Sequence, residues 1–423
     1  MSRFRLGRLA ATVAITALAA GVVASAPLAR PTAKSAGFTL TIGDVEDYTG
    51  ALGPIGAPAD KAVKLAVAQL NAAAKKAGLP DRFKVTTADT QSDPQQAISA
   101  ARQVVDSGAT CLTGPASTPE AIAILNAVTK VRRMVMMPTA TSIALRQTND
   151  NHTIFRVVPP DSLQARALVI AVKQYLRGAK GKTVALGYLN LPYGTGIRNA
   201  FSAAWKALGG KVVTVGYNQD QPSYDSEAQK LVAAHPAAFV IADYPDTFGK
   251  VAAALLRTGG FNAKKLFVSD ALAVDPIPST IPAAALLGAH ATEAGAPQKT
   301  AVAKAFNKLY RSTPGPKTGA LIQYSFDSGI LCGLAAVAAH STAPDKIRSE
   351  MTKISGPRGK PLTYLQLSRA MRALAAGKHV HYIGVSGPID FDSRGDTKSG
   401  LYDLLQWVGG HLVLKKQIQV TKR

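Results

Sequence analysis

Residues 38–113 read FTLTIGDVEDYTGALGPIGAPADKAVKLAVAQLNAAAKKAGLPDRFKVTTADTQSDPQQAISAARQVVDSGATCLT. Phe38 to Gly43 is a short apolar run of strand type. From Ala59 to Ala77, residues Val63, Val67, Leu70 and Ala74 share one face at helical spacing, and Gly78 ends the pattern. A second strand follows at Phe83 to Thr87. Asp93 then caps a helix with Pro94 at its first position and Gln96 reaching back, while Ile98 and Val105 supply the buried face up to Gly108. Thr110 to Thr113 is a third strand. Strands separated by helices of this length predict a parallel sheet with crossover helices.

The same grammar restarts after Arg156. A helix from Ser162 to Leu176 precedes a strand at Thr183 to Leu189. A helix from Thr195 to Leu208, closed by Gly209 and Gly210, precedes Lys211 to Tyr217. Then come a helix at Asp225 to Ala234, a strand at Ala238 to Ala242, a helix to Thr258 and a strand at Leu266 to Ser269. Beyond its first 26 residues the chain keeps close to 400 of its 423 residues, more than one hydrophobic core usually organises. Two successive sets of strand and helix units imply two similar lobes.

The chain opens with Arg3, Arg5 and Arg8, an apolar run from Leu9 to about Val23, and the triplet Ala24, Ser25, Ala26. That order is the pattern of a secretory signal peptide, and the run is shorter than the roughly 20 residues of a membrane-spanning helix. Cleavage after Ala26 fits the small-residue rule, while Pro27 just beyond leaves a later cut or an uncleaved anchor open. With no cysteine near the segment, a lipid-modified start is excluded. The protein is therefore expected outside the cytoplasmic membrane, in the periplasm or at the cell envelope.

The formal charge is +23, which raises the question of nucleic acid. The cations are spread along helices as pairs, such as Lys75 with Lys76, Arg132 with Arg133 and Lys264 with Lys265, and no dense basic run is interleaved with aromatics. A nucleic-acid partner needs a clustered footprint, so an anionic cell-surface environment is the better match. Cys111, in a strand, and Cys332, in an alanine-rich helix, are either a disulfide, which an exported protein permits, or two separate buried thiols.

Enzyme signatures are missing at each place they would stand. Tyr193-Gly194-Thr195-Gly196 holds a Gly-x-Gly, but Asn199 replaces the third glycine of a phosphate fingerprint. No Gly-x-Ser-x-Gly nucleophile turn exists. His379 and His381 share a strand face without a Cys or carboxylate to complete a metal set. No catalytic residue, metal or cofactor is expected.

Several segments, in order, resemble the type I periplasmic-binding-protein fold, in particular its leucine/isoleucine/valine-binding branch, the substrate-binding subunits of branched-chain amino-acid ABC transporters. Tyr48-Thr49-Gly50 with Gly53 and Gly56 is similar to the glycine-rich loop after the first strand. Gly114-Pro115-Ala116-Ser117-Thr118 resembles the loop after the third, and Met137-Pro138-Thr139-Ala140-Thr141 the Pro-Ala-Ala-Thr loop of the fourth. Phe155-Arg156-Val157 with Pro160-Asp161 resembles the first interlobe crossover. Tyr193-Gly194 and Tyr244-Pro245 resemble second-lobe loops, and Ser269-Asp270 a strand end that offers an acid. Gly387 to Asp392 with Gly395-Asp396 resembles the last crossover. Where the amino-acid receptors often place an aromatic residue in the first loop, Ile55 stands, so leucine does not follow as the ligand.

The resemblance implies two doubly wound parallel α/β lobes joined by a three-strand hinge, with lobe one at 38–157 plus 288–392 and lobe two at 158–287 plus 398–423, after a signal at 1–26 and a linker at 27–37. It implies a receptor that binds an amino acid or related small carboxylate and delivers it to ABC permease subunits. A ligand carboxylate needs hydroxyls and amides to replace its water, for which Ser117, Thr118, Thr139 and Thr141 are the candidates. Ser117 and Thr118 also stand where a helix N-cap is needed. A ligand ammonium needs an acid at a strand's C-terminal end, and Asp270 is placed there. Tyr193 and Tyr244 would close over the ligand from the second lobe. A ligand sensor of the same fold is the first alternative; an exported hydrolase is the second, without a recognisable nucleophile and base.

Overall fold

The computed structural model describes residues 37–147 and 150–422; the expected signal and the linker up to residue 36 lie outside them. Strands β1 (Thr39–Glu46), β2 (Arg82–Asp89), β3 (Ala109–Thr113) and β4 (Val135–Met137) form an all-parallel sheet in the order β2-β1-β3-β4. The chain then builds β5 (Thr183–Leu189), β6 (Lys211–Tyr217), β7 (Ala238–Ala242), β8 (Leu266–Val268) and β9 (His290–Gly295). β10 (Lys360–Thr363) and β11 (Val380–Ile383) pair as a small parallel ribbon. Finally β12 (Ser399–Val408) and β13 (His411–Thr421) complete a seven-stranded sheet, ordered β13-β12-β9-β8-β7-β5-β6. Helices cover both faces of such sheets, so inner strands such as β7, Ala-Phe-Val-Ile-Ala, are buried along their whole length. The result is the expected pair of α/β lobes.

Three local expectations shift. Residues 288–295, placed by the sequence reading in the first lobe, carry β9, which pairs parallel with β8 and antiparallel with β12 in the second sheet. Gln164 seals it there by donating to Thr292 O at 2.8 Å. The second sheet is also not wholly parallel, because β12 and β13 form a hairpin. Its turn, Gly409-Gly410, has φ of 60° and 86°, the mirror-image turn whose twist suits a two-residue hairpin and which only glycine adopts without strain. The first helix begins at Gly53 rather than Ala59, with Pro54 in its first turn, where a missing N–H costs nothing.

The helix Ile322–Ala339 is long and apolar enough to cross a membrane, yet 83% of it is buried within the fold. It packs against the helix Gly53–Ala77 in the first-lobe core; a side chain at Gly329 would come within 2.8 Å of Ala66 Cβ, so the two helices meet at small residues. Cys332 on this helix is joined to Cys111 on β3 by a disulfide, which resolves the alternatives left open by the sequence. The bridge links residues 221 positions apart, and cross-linking restricts the unfolded chain. Replacing both cysteines by alanine should lower stability by about 2 to 4 kcal/mol, seen as an earlier guanidinium unfolding midpoint with a steeper slope, because the freed unfolded chain exposes more surface.

The chain passes between the lobes three times, near residues 156–160, 296–300 and 392–398. Arg156, fully buried, ties the first crossing to the third. Its Nε donates to Asp396 Oδ1 at 2.7 Å, its Nη1 donates to Ser142 O at 2.6 Å, and its backbone N–H donates to Gly395 O at 2.8 Å. Arg146 also pairs with Asp396, and Lys422 from the second sheet lies 3.7 Å away. The resemblance to family crossovers at Phe155-Arg156-Val157 and Gly395-Asp396 thus falls on residues that touch.

Candidate functional site

Open parallel sheets gather ligands beyond the C-terminal ends of their strands, and loops from both sheets meet there. After β3, the segment 114–118 is anchored by the buried Asp47 carboxylate, which accepts from Ala116 N at 3.3 Å and from Ser92 Oγ at 2.8 Å. After β4, Thr139 N and Ala140 N donate to Pro115 O at 3.1 and 3.3 Å, lacing the two loops together.

From the second lobe, β5 leads into the helix Pro192–Ala207, so Tyr193 stands in a helical first turn and not in a loop. Gly194 permits this: a Cβ there would lie 2.3 Å from Leu189 O and 3.0 Å from Ala242 O. Tyr244, the N-cap of the helix Pro245–Arg257, follows β7, and Asp270 follows β8 by two residues.

Six of the seven candidates, Thr118, Thr139, Thr141, Tyr193, Tyr244 and Asp270, line one cavity together with Leu52, Ile55, Ala116, Ala271, Glu293, Ala320 and Leu321. Counted with its open mouth, the space amounts to about 450 Å³. Ser117 lies instead on a neighbouring cavity with Leu52 and Tyr244, and its Oγ accepts from Glu120 N at 3.5 Å as the helix cap. Thr139 Oγ1 is buried with no hydrogen-bond partner among the described residues, while Thr118 Oγ1 is buried beside the Tyr244 hydroxyl. A buried hydroxyl without a partner is costly, so Thr139 is poised for an acceptor or donor that enters the cavity.

On the opposite wall, the Tyr193 hydroxyl donates to Asp270 Oδ1 and lies 2.7 Å from Ser269 Oγ. Ala271 N also donates to Asp270 Oδ1 at 3.0 Å. Burial raises the Asp270 carboxyl above its ordinary range, while those two hydrogen bonds act the other way. Tyr193 stacks on Tyr244 with ring centroids 5.2 Å apart and planes 22° apart, giving a flat apolar wall beside a polar tip. Asp161, buried at the first crossing, is pushed up by burial and then by the Asp270 charge. No lining residue carries a positive charge.

Sequence reasoning passed over Glu293, Leu52 and Leu321. Glu293 is an acid in an otherwise alanine-rich strand, which was a usable signal. Leu321 has φ of 59°, a left-handed conformation unusual for a residue with a Cβ and without a signature in the sequence. No group of three or more His, Cys, Asp or Glu suited to a metal ion occurs among the described residues.

Comparison with known proteins places this geometry. A periplasmic-binding-protein family model matches residues 39–410. The Leu/Ile/Val-binding protein BraC3 of Rhizobium johnstonii is 30% identical over 196 residues, 46% of this chain and 50% of that protein, so the chain spans about half the length of this relative. The substrate-binding protein BasB of a chemotactic signal transduction system in Halobacterium salinarum is 23% identical over 86% of both chains. Among solved structures, the branched-chain amino-acid transporter substrate-binding protein LivJ of Streptococcus pneumoniae, in complex with isoleucine, superimposes with a TM-score of 0.72 at 19% identity, covering 91% of this chain and 100% of that one. With the family model spanning nearly all of the described residues, the chain belongs to the periplasmic binding protein family, and its fold is that of LivJ.

Proposed function

We propose that this protein is an extracytoplasmic receptor of an ABC importer, which binds an amino acid or a related small carboxylate between its lobes and hands it to permease subunits in the membrane. One observation carries the reading: the buried hydroxyls of Thr118 and Thr139 from one lobe, the latter without a hydrogen-bond partner among the described residues, line the same cavity as Asp270 and Tyr193 from the other. A zwitterion presents the complementary pair, a carboxylate for the hydroxyls and an ammonium for the acid. The names of its relatives support the ligand class, and the arginine-rich start supports export. The arrangement calls for no covalent step, so the protein acts as a receptor and not as an enzyme. Its likeness to BasB supports a second reading, in which the same ligand-bound form reports to a signalling partner.

A ligand shared between lobes stabilises only the closed arrangement. A thermal-shift screen of amino acids, amides and small aromatic acids should reveal the ligand as a rise in melting temperature. Small-angle scattering with that ligand at saturation should then show a smaller radius of gyration than without it. Curves that superimpose would mean a rigid binder and remove the hinge from the mechanism.

A further inference from the structure

We propose that Glu293 reads the far end of the ligand, so that the cavity takes an amino acid whose side chain carries a second cationic nitrogen. This inference rests on the amino-acid reading given above and narrows it.

Glu293 lines the cavity that holds Asp270, and it also lines a larger cleft, about 1440 Å³ counted the same way, that shares Ile55 and Ala320 with that cavity. It therefore stands where a side chain leaving the amino-acid cavity would pass. On the sheet it lies directly opposite Asp403 of β12. Like charges placed opposite one another in an antiparallel pair destabilise it. Asp403 accepts from Gln417 Nε2 at 2.7 Å, whereas no hydrogen bond or ion pair satisfies the Glu293 carboxylate among the described residues. Burial first, then Asp403 and Asp270, push its carboxyl up to about 8.

The cation lining the larger cleft does not answer it: Lys317 donates to the carbonyls of Arg311 and Thr313 at 3.0 and 3.1 Å. An aliphatic ligand side chain would close over Glu293 and leave a desolvated acid without a partner, which is unfavourable. A second carboxylate would meet Asp270 and Glu293, with Lys317 of the larger cleft held by two backbone carbonyls. A side-chain ammonium or guanidinium supplies the missing counter-charge, with the α-ammonium left to Asp270.

Calorimetry on the full chain with L-lysine, L-ornithine and L-arginine, against L-leucine and L-isoleucine, tests this. The parent protein should bind at least one of the basic amino acids on the order of tenfold or more tightly than either aliphatic one. Glu293→Gln should lose on the order of tenfold or more for the basic ligand, since one member of a charge pair is removed. The same variant should keep or gain affinity for leucine and should melt no lower than the parent, because an acid whose charged form is disfavoured by burial and by Asp403 has gone. A parent protein that prefers leucine, or a Glu293→Gln variant that retains full affinity for the basic ligand, overturns this inference and leaves amino-acid binding intact. Failure of every amino acid to bind overturns both.

Discussion

Asp270→Asn lowers affinity for a zwitterionic ligand by about 2 to 5 kcal/mol, because the ligand ammonium is then desolvated against a neutral group. The substitution nearly preserves shape. It also keeps an oxygen to accept from Tyr193 and Ala271, so the local hydrogen bonds have a route to survive. The loss should thus fall on binding and spare folding, since the carboxylate it removes is one that burial already disfavours. Ser117→Ala is the contrasting variant: Ser117 caps a helix and lies on the neighbouring cavity, so its cost, on the order of 0.5 to 2 kcal/mol, should appear in the melting temperature and not in affinity. Calorimetry with ligand and melting without it separate the two. Undiminished affinity in Asp270→Asn would mean that the ligand carries no ammonium group or that the acid serves the fold alone.

The second large effect lies at the crossings. Asp396→Asn leaves Arg156 fully buried without its counter-charge, and breaking a buried pair in this way costs about 3 to 5 kcal/mol. The Arg156 and Arg146 guanidinium groups hold the Asp396 carboxyl far below its ordinary 3.8 against the opposing pull of burial. A depressed carboxyl contributes stability at pH above its unfolded value, and that contribution fades as pH falls through its folded value. The parent and Asp396→Asn should therefore differ most near neutral pH and converge as the pH falls below about 4. Chemical denaturation at pH 7 and pH 3 measures the two gaps; equal gaps would show that the charge on Asp396 contributes nothing.

Much of the architecture was legible because the parallel strands are buried on both faces and their helices are amphipathic. The alternation from β1 to β8 follows from apolar runs, caps such as Asp93 and terminating glycines such as Gly78. What was hidden has a common cause, contacts made between distant parts of the chain. The β9 strand, His-Ala-Thr-Glu-Ala-Gly, is too short and too poor in β-branched residues to announce which sheet it joins, and only pairing with β8 and β12 decides it. The hairpin after Ser399 did carry a local sign, Gly409-Gly410 between two apolar runs, which the emphasis on parallel units passed over. Cys111 and Cys332 could be paired only by the packing of a helix on a sheet.

At the site, residue types at strand ends pointed to Thr118, Thr139, Thr141, Tyr193, Tyr244 and Asp270, and the fold brings those six around one cavity. Ser117 and Thr118 were both read as hydroxyls at a helix start. In a helix start the two side chains leave in different directions, so one faces the cavity and the other closes the helix. Glu293 was missed because its significance lies in what surrounds it, two further acids and no cation.

Calorimetric titration of the purified protein with each of the common L-amino acids tests the interlobe site most directly. The structure predicts saturable one-to-one binding of at least one of them, with a Kd of about 1 μM or below, equivalent to roughly 8 kcal/mol, and its loss in Asp270→Asn. The absence of heat and of any melting shift across the whole set would contradict an amino-acid receptor built around Asp270.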